Sequence, residues 1–397
     1  MCYTNLAQPI FFRYNLESKK KVNYKKIGEK NRMKKKCIIA FSVLLSVACL
    51  CACGKKEDVD AVEKVTQEIE TITLEEAEAE TLTEDVVPEG MYRSELTNEP
   101  IDEALKNQRP IAAMVDNESI ALPHYGLNDA DIVYELMNST KNDRITRFMV
   151  LVKDWGNIEQ LGSIRSVRPT NILLAAEWNA VLCHDGGPFY IDPYLANDYA
   201  AHFSGVFSRV NNGKAREYTE YIMPGDLEKA FKSSDYSTEY DEYYPGPHYQ
   251  FTDKANPVDF KDNEKALTAT SINLPFEHNG SNLTYDAETQ LYYYAEYGKD
   301  HLDGKTDEQL CFKNVLLQCC TYHQYDENGY MIFNCIDQGK AGYYITNGKA
   351  VKVTWKKSND TDPTRYYNEA GEEITLNTGK TYVAFVPDDN WEELEIE

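Results

Sequence analysis

The chain predicts an α/β N-terminal domain followed by a mostly antiparallel β C-terminal domain, both set behind a signal peptide and a disordered acidic tether. Three observations predict this architecture. Lysines and an uncharged apolar run ending in cysteine come early; short apolar strands alternate with proline-started helices in the middle; Asn-Gly turns separate β-branched and aromatic runs towards the end.

Charge is distributed unevenly over the 397 residues. Lys+Arg 41 against Asp+Glu 65 give −24 overall. Residues 1–36 hold eleven Lys/Arg against Glu17 and Glu29, a local +9, and residues 37–52 are uncharged, so everything from Cys53 onward carries −33. So acidic a body repels nucleic-acid phosphates and anionic lipid headgroups, which excludes nucleic acid as a partner.

From Met33 the chain runs MKKKCIIAFSVLLSVACLCACG, lysines followed by a run too short to span a bilayer, which needs roughly twenty apolar residues. Residues 33–52 are therefore read as a signal peptide and residues 1–32 as a misassigned extension. The ending Leu50-Cys51-Ala52-Cys53-Gly54 resembles the lipobox of bacterial lipoproteins, although Cys51 replaces the usual Ala or Ser. That resemblance implies cleavage before Cys53, a diacylglycerol on its thiol, and a lipid-anchored place on the extracytoplasmic face of the cell membrane. Residues 53–97 form the tether: within 54–90, thirteen Asp/Glu face three lysines and no aromatic residue is present to nucleate a core.

The α/β domain is expected over residues 98–255. Ile111–Val115, Ile132–Tyr134, Phe148–Val152 and Ala180–Cys183 are short apolar runs suited to buried strands, with helices expected at Thr170–Trp178, Pro193–Phe203 and Gly225–Lys232. Polar residues 256–271 read as a linker. The β-rich domain, 272–388, contains strand-like runs at Leu291–Tyr294, Val315–Leu317, Tyr343–Ile345, Val351–Trp355 and Tyr382–Phe385, with hairpin turns at Asn328-Gly329, Asn347-Gly348 and Ala370-Gly371. Residues 389–397 read as an acidic tail. Of the five cysteines in the folded part, none sits in a C-x-x-C pattern; one disulfide among Cys311, Cys319, Cys320 and Cys335 is open, with buried free thiols, Cys183 included, slightly favoured.

The densest chemistry is Gly162-Ser-Ile-Arg165-Ser166-Val-Arg168-Pro169-Thr170. Arg165, Ser166, Arg168 and Thr170 fall where a strand should end and a helix begin, and Arg144 and Arg147 lie near the preceding strand's start. Arginines at a helix N-terminus make an anion site for phosphate or carboxylate. The plainer alternative is that they pair with acids such as Asp131, Glu135 and Glu177. Gly186 and Gly187 follow a strand end, where backbone can approach a ligand. His184, with Asp185 or Glu135 as partner, is a weak acid–base candidate, since no nucleophile elbow accompanies it. No glycine-rich dinucleotide loop, Walker sequence or zinc-type histidine spacing occurs, so no cofactor and no metal are expected.

Several ordered segments are similar to one family. Arg109–Asn117, Pro123–Leu127, Ala130–Glu135, Ile145–Phe148, Gly162–Pro169 and His184–Gly187, with Asn314–Leu317, Gly339–Gly342, Asn347–Val351, Thr354-Trp355 and Gly379–Val383, resemble the YerB-like lipoproteins of Gram-positive bacteria. The resemblance covers about 98–388 and implies a two-domain extracytoplasmic lipoprotein of unassigned role, with no catalytic residues to carry over. This chain departs from the family's His-Ala-Gly-Gly-Ser-Pro at His184–Phe189, and a later Pro-His-Asn element is missing near Glu217–Glu220. The expected function is a membrane-anchored module binding an anionic cell-wall fragment or envelope protein. The alternative is an envelope hydrolase or transferase using His184 and a carboxylate with an arginine clamp.

Overall fold

The apolar runs become the middle of one large sheet. The computed structural model describes residues 85–397; the signal peptide, Cys53 and most of the tether lie outside the described residues. Strand β1 (Ile111–Asp116), β2 (Ile132–Met137), β3 (Thr146–Val152), β4 (Val181–His184) and β5 (His202–Ser204) come from the first half of the chain. The second half supplies β6 (Leu267–Thr268), β9 (Asn314–Cys320), β12 (Asp337–Thr346), β13 (Lys349–Lys357) and β14 (Thr381–Pro387), while β7 (Asn282–Asp286), β8 (Leu291–Glu296), β10 (Tyr322–Gln324) and β11 (Met331–Phe333) lie outside this sheet.

Their order is β6-β13-β12-β9-β14-β2-β3-β1-β4-β5. β14 is the joint: it pairs in parallel with β9 on one side and with β2 on the other, at Thr381↔Ile132 through Phe385↔Leu136. Both halves of the sequence thus share one sheet. Residues 256–266 carry only turns, and Leu267–Thr268 pairs with β13 as an edge strand. Near the other end of the chain, Glu395–Ile396 pairs with Ile272–Asn273. Regular structure begins before residue 98, where Met91–Arg93 pairs with Pro100–Asp102 and Leu96 is buried.

Strand alternation divides the core. Ile111, Ala113 and Val115 join a cluster with Leu283, Tyr292 and Tyr294 of β7 and β8, whereas Ala112 and Met114 join Ile172, Leu174 and Trp178 on the opposite face. Burial on both faces explains the continuous apolar runs.

The described residues are mostly strand with few helices, so the α/β label for the first half narrows to a mixed sheet. β1–β3 and β2–β3 are antiparallel, whereas β1–β4 and β4–β5 are parallel. A run buried on both faces does not disclose the direction of its neighbours. Helix α1 (Pro169–Glu177) and α2 (Asp226–Lys232) form where proline and glycine signals place them. The helix expected at Pro193–Phe203 stops after one turn, Asp192–Leu195. There the Asn197 amide donates to the Pro193 and Tyr194 carbonyls, and His202–Ser204 is taken into the sheet beside β4. The five cysteines of the folded part are all free thiols. Among the described residues, no helix is long and apolar enough to cross a membrane.

Candidate functional site

Three of the four expected arginines converge on one cleft. The pairing of β1 with β3 sets Arg147 opposite Asp116, and the segment leading into α1 brings Arg165 and Arg168 beside them. The cleft has a volume of about 540 Å3 and is completed by Glu118, the Asn138–Asn142 loop, and the Glu327, Asn328 and Tyr330 side of the β10–β11 hairpin.

Its arginines are unequally paired. Asp116 is fully buried and accepts from Arg165 Nε at 2.5 Å and from Arg147 at 3.3 Å. Arg165 also reaches the exposed Glu217 at 2.9 Å, and Arg147 donates to the Ser166 carbonyl at 2.8 Å, its own Nε finding no partner among the described residues. Arg168 is 7% exposed and pairs with no carboxylate among the described residues. Its donors go to the Asn138 and Val167 carbonyls at 3.1 and 3.0 Å, and its guanidinium lies 4.9 Å over the Tyr330 ring. Burial, then the Arg147 and Arg165 charges, pull its pKa down to about 9. It is still a cation at neutral pH. Asp116 and Glu217 hold Arg165 above the ordinary arginine value in spite of its burial.

Other expected residues do not line the cleft. Arg144, at φ 59°, turns away and forms a two-pronged pair with Asp389 at 2.7 and 2.8 Å. Thr170 Oγ1 accepts from the Phe333 amide at 2.9 Å, tying α1 to β11. Ser166 Oγ donates to the Asp185 carbonyl, Asp185 N–H to that of Arg165, and Val167 N–H to that of Gly186, all at 3.0 or 3.1 Å. This ladder supports the arginine segment from behind. Gly187 allows it to sit close, since a Cβ there would meet Ile191 Cδ1 at 2.5 Å and the Val167 carbonyl at 3.1 Å.

The acid–base candidates are scattered. His184 Nδ1–H donates to the Gly186 carbonyl at 2.8 Å, which leaves Nε2 to accept from His202 Nδ1 at 3.1 Å. Burial, with His202 adding to it, lowers its pKa to about 4. Asp185 instead takes Arg209 at 2.7 Å. Glu135 is sealed in the core and accepts from Thr146, Asn279, Ser281, Tyr294 and Tyr382 between 2.5 and 2.9 Å. Burial, then Glu296, raises its pKa.

Matches to two family models cover both walls of the cleft. Residues 96–237 match the model described as the N-terminal domain of a protein of unknown function, DUF3048, and residues 272–383 match its C-terminal domain. The chain belongs to the DUF3048 family. Within that family's two regions, the arginines and Lys141 fall in the first, while Asn328 and Tyr330 fall in the second. The chain is 23% identical over 321 residues to a Bacillus subtilis (strain 168) protein named as a lipoprotein, YerB, covering 77% of this chain and 89% of that one. The crystal structure of the Bacillus subtilis YerB protein superposes with a TM-score of 0.64 at 21% identity, covering 77% of this chain and 99% of that chain, which shows a shared fold.

A second cluster lies inside the DUF3048 fold. His124, Glu296 and His301 are buried together and could hold a metal ion. His301 Nδ1 is 2.8 Å from Glu296 Oε1, and its Nε2 is 3.4 Å from His124 Nδ1. Burial holds His124 well below the ordinary histidine value, so it is neutral. Their spacing along the chain carries no hint of this meeting. Tyr330, Asn328 and Lys141 likewise lacked any local signal beyond a polar loop and a hairpin turn.

Proposed function

We propose that this DUF3048 protein is a lipid-anchored extracytoplasmic module that binds a phosphate- or carboxylate-bearing ligand of the cell envelope in its arginine cleft. One observation carries the reading: Arg168 is a buried cation with no carboxylate partner among the described residues, set beside two further guanidinia that share the buried carboxylate of Asp116. Keeping such a charge desolvated is costly, and an anion bridging the three guanidinia would offset the cost through charge-assisted, two-pronged hydrogen bonds. The signal-like leader ending at Cys53 and the lipoprotein name of the Bacillus subtilis relative support the location.

Thermal unfolding of the detergent-solubilised full chain tests the binding. Orthophosphate, pyrophosphate or citrate at 100 times its dissociation constant should stabilise the fold by about 2.7 kcal/mol. Lys141→Ala should weaken the effect and Arg168→Met should remove it. An unchanged response in both variants would place the anion elsewhere.

A further inference from the structure

The surface beside the arginine cleft is aromatic. Phe189 is 70% exposed. Its ring lies 4.0 Å from that of Tyr190, which stacks on Tyr325 at 4.3 Å with planes 9° apart and meets Tyr330 edge-on at 6.4 Å. Tyr330 is the ring beneath the Arg168 guanidinium. Four rings therefore run from solvent to the wall of the cleft. The row is braced: the Tyr190 hydroxyl donates to Asp326 at 3.0 Å, and Asp326 also accepts from the Asn328 backbone and side chain. Phe189 is the exposed end of this row, and Tyr190, Tyr325 and Tyr330 are half-buried.

A fixed aromatic ledge that ends at cations suits a ligand with an apolar face, polar edges and a negative group. A pyranose phosphate has that form: its C–H face lies on a ring, its hydroxyls meet amides and carboxylates, and its phosphate meets guanidinia. Asn142, Glu327 and Asn328 supply donors and acceptors at the rim. A flat nucleobase is better served by a slot between two rings, and an acyl chain would be disfavoured by this polar rim. We infer that the Phe189–Tyr190–Tyr325 ledge is a saccharide subsite continuous with the arginine cleft, so that the ligand is a sugar bearing a phosphate or carboxylate. This inference rests on the anion reading of the cleft.

Calorimetric titration of the detergent-solubilised full chain separates the two readings. The probes are orthophosphate, glucose 6-phosphate and adenosine 5′-monophosphate, with Phe189→Ala as the variant. Glucose 6-phosphate should bind about tenfold more tightly than orthophosphate, and Phe189→Ala should erase that advantage while leaving orthophosphate binding unchanged. Equal affinities, or an advantage that survives Phe189→Ala, would overturn the saccharide subsite and leave the anion site standing. Tighter binding of adenosine 5′-monophosphate than of glucose 6-phosphate would replace the sugar by a base. Absence of binding by all three would remove the anion reading and the subsite with it.

Discussion

Replacing Arg168 with methionine should make the protein more stable while abolishing its response to anions. The fall of its pKa from the ordinary arginine range to about 9 corresponds to roughly 4 to 5 kcal/mol of unfavourable charge burial, at ~1.4 kcal/mol per pK unit. Methionine removes that charge and fills most of the same space. Against this, the Asn138 and Val167 carbonyls lose their donors at ~1 kcal/mol each, and the contact with Tyr330 loses about 0.5 to 1 kcal/mol. The balance is a gain of roughly 2 kcal/mol, or about 3 °C in Tm for a protein of this size. Calorimetry in a low-salt buffer free of phosphate and carboxylate reads it, since an anion in the cleft would mask the difference. A variant less stable than the parent by 2 kcal/mol or more would show that Arg168 is a structural strut, and the unpaired-charge argument would fall.

Other outcomes follow from the same network. His184 has a folded pKa near 4 against an ordinary value of 6.5, so between these values the unfolded chain binds more protons. The stability it contributes is complete above about pH 6.5 and is lost as pH falls through 4, a cost of about 3 kcal/mol; His184→Gln should flatten this part of the Tm-against-pH curve, and parallel curves would refute the assignment. Glu135→Leu should cost about 3 to 5 kcal/mol by stranding Tyr294, Tyr382, Ser281 and Asn279, yet keep the anion-induced shift of Tm; loss of that shift in a folded variant would make Glu135 part of the site. Cys53→Ala should release the protein from membranes or leave it unprocessed, as cell fractionation reads; a cleaved form that remains membrane-associated would refute lipidation.

What could be read from the residues depended on how local the cause was. Asn347 and Gly348 adopt φ of 49° and 73°, and turn chemistry of that kind announces a hairpin without reference to the rest of the chain. Buried strands were legible for the same reason: runs such as Ile111–Val115 are apolar at every position. Pairing was not legible, because nothing in β2 says that its neighbour is β14, some 250 residues further along the chain. The cleft divides in the same way. Arg165 and Arg168 stand together in sequence and together in space. Arg144 and Arg147 are neighbours in sequence only, since a positive φ before β3 sends Arg144 to Asp389. Tyr330 and Asn328 reach the cleft through a hairpin from the other half of the chain, anchored where the Thr140 amide meets the Gly329 carbonyl at 3.1 Å.

The most direct test of the central claim is a crystal structure of the protein soaked in selenate, whose anomalous signal locates a tetrahedral anion without ambiguity. The anion is expected among Arg147, Arg165 and Arg168, with oxygens about 3 Å from the Arg168 guanidinium. A cleft holding only water, with Glu118 or Glu327 swung inward onto Arg168, would contradict the account, because the buried cation would then be neutralised by the protein itself.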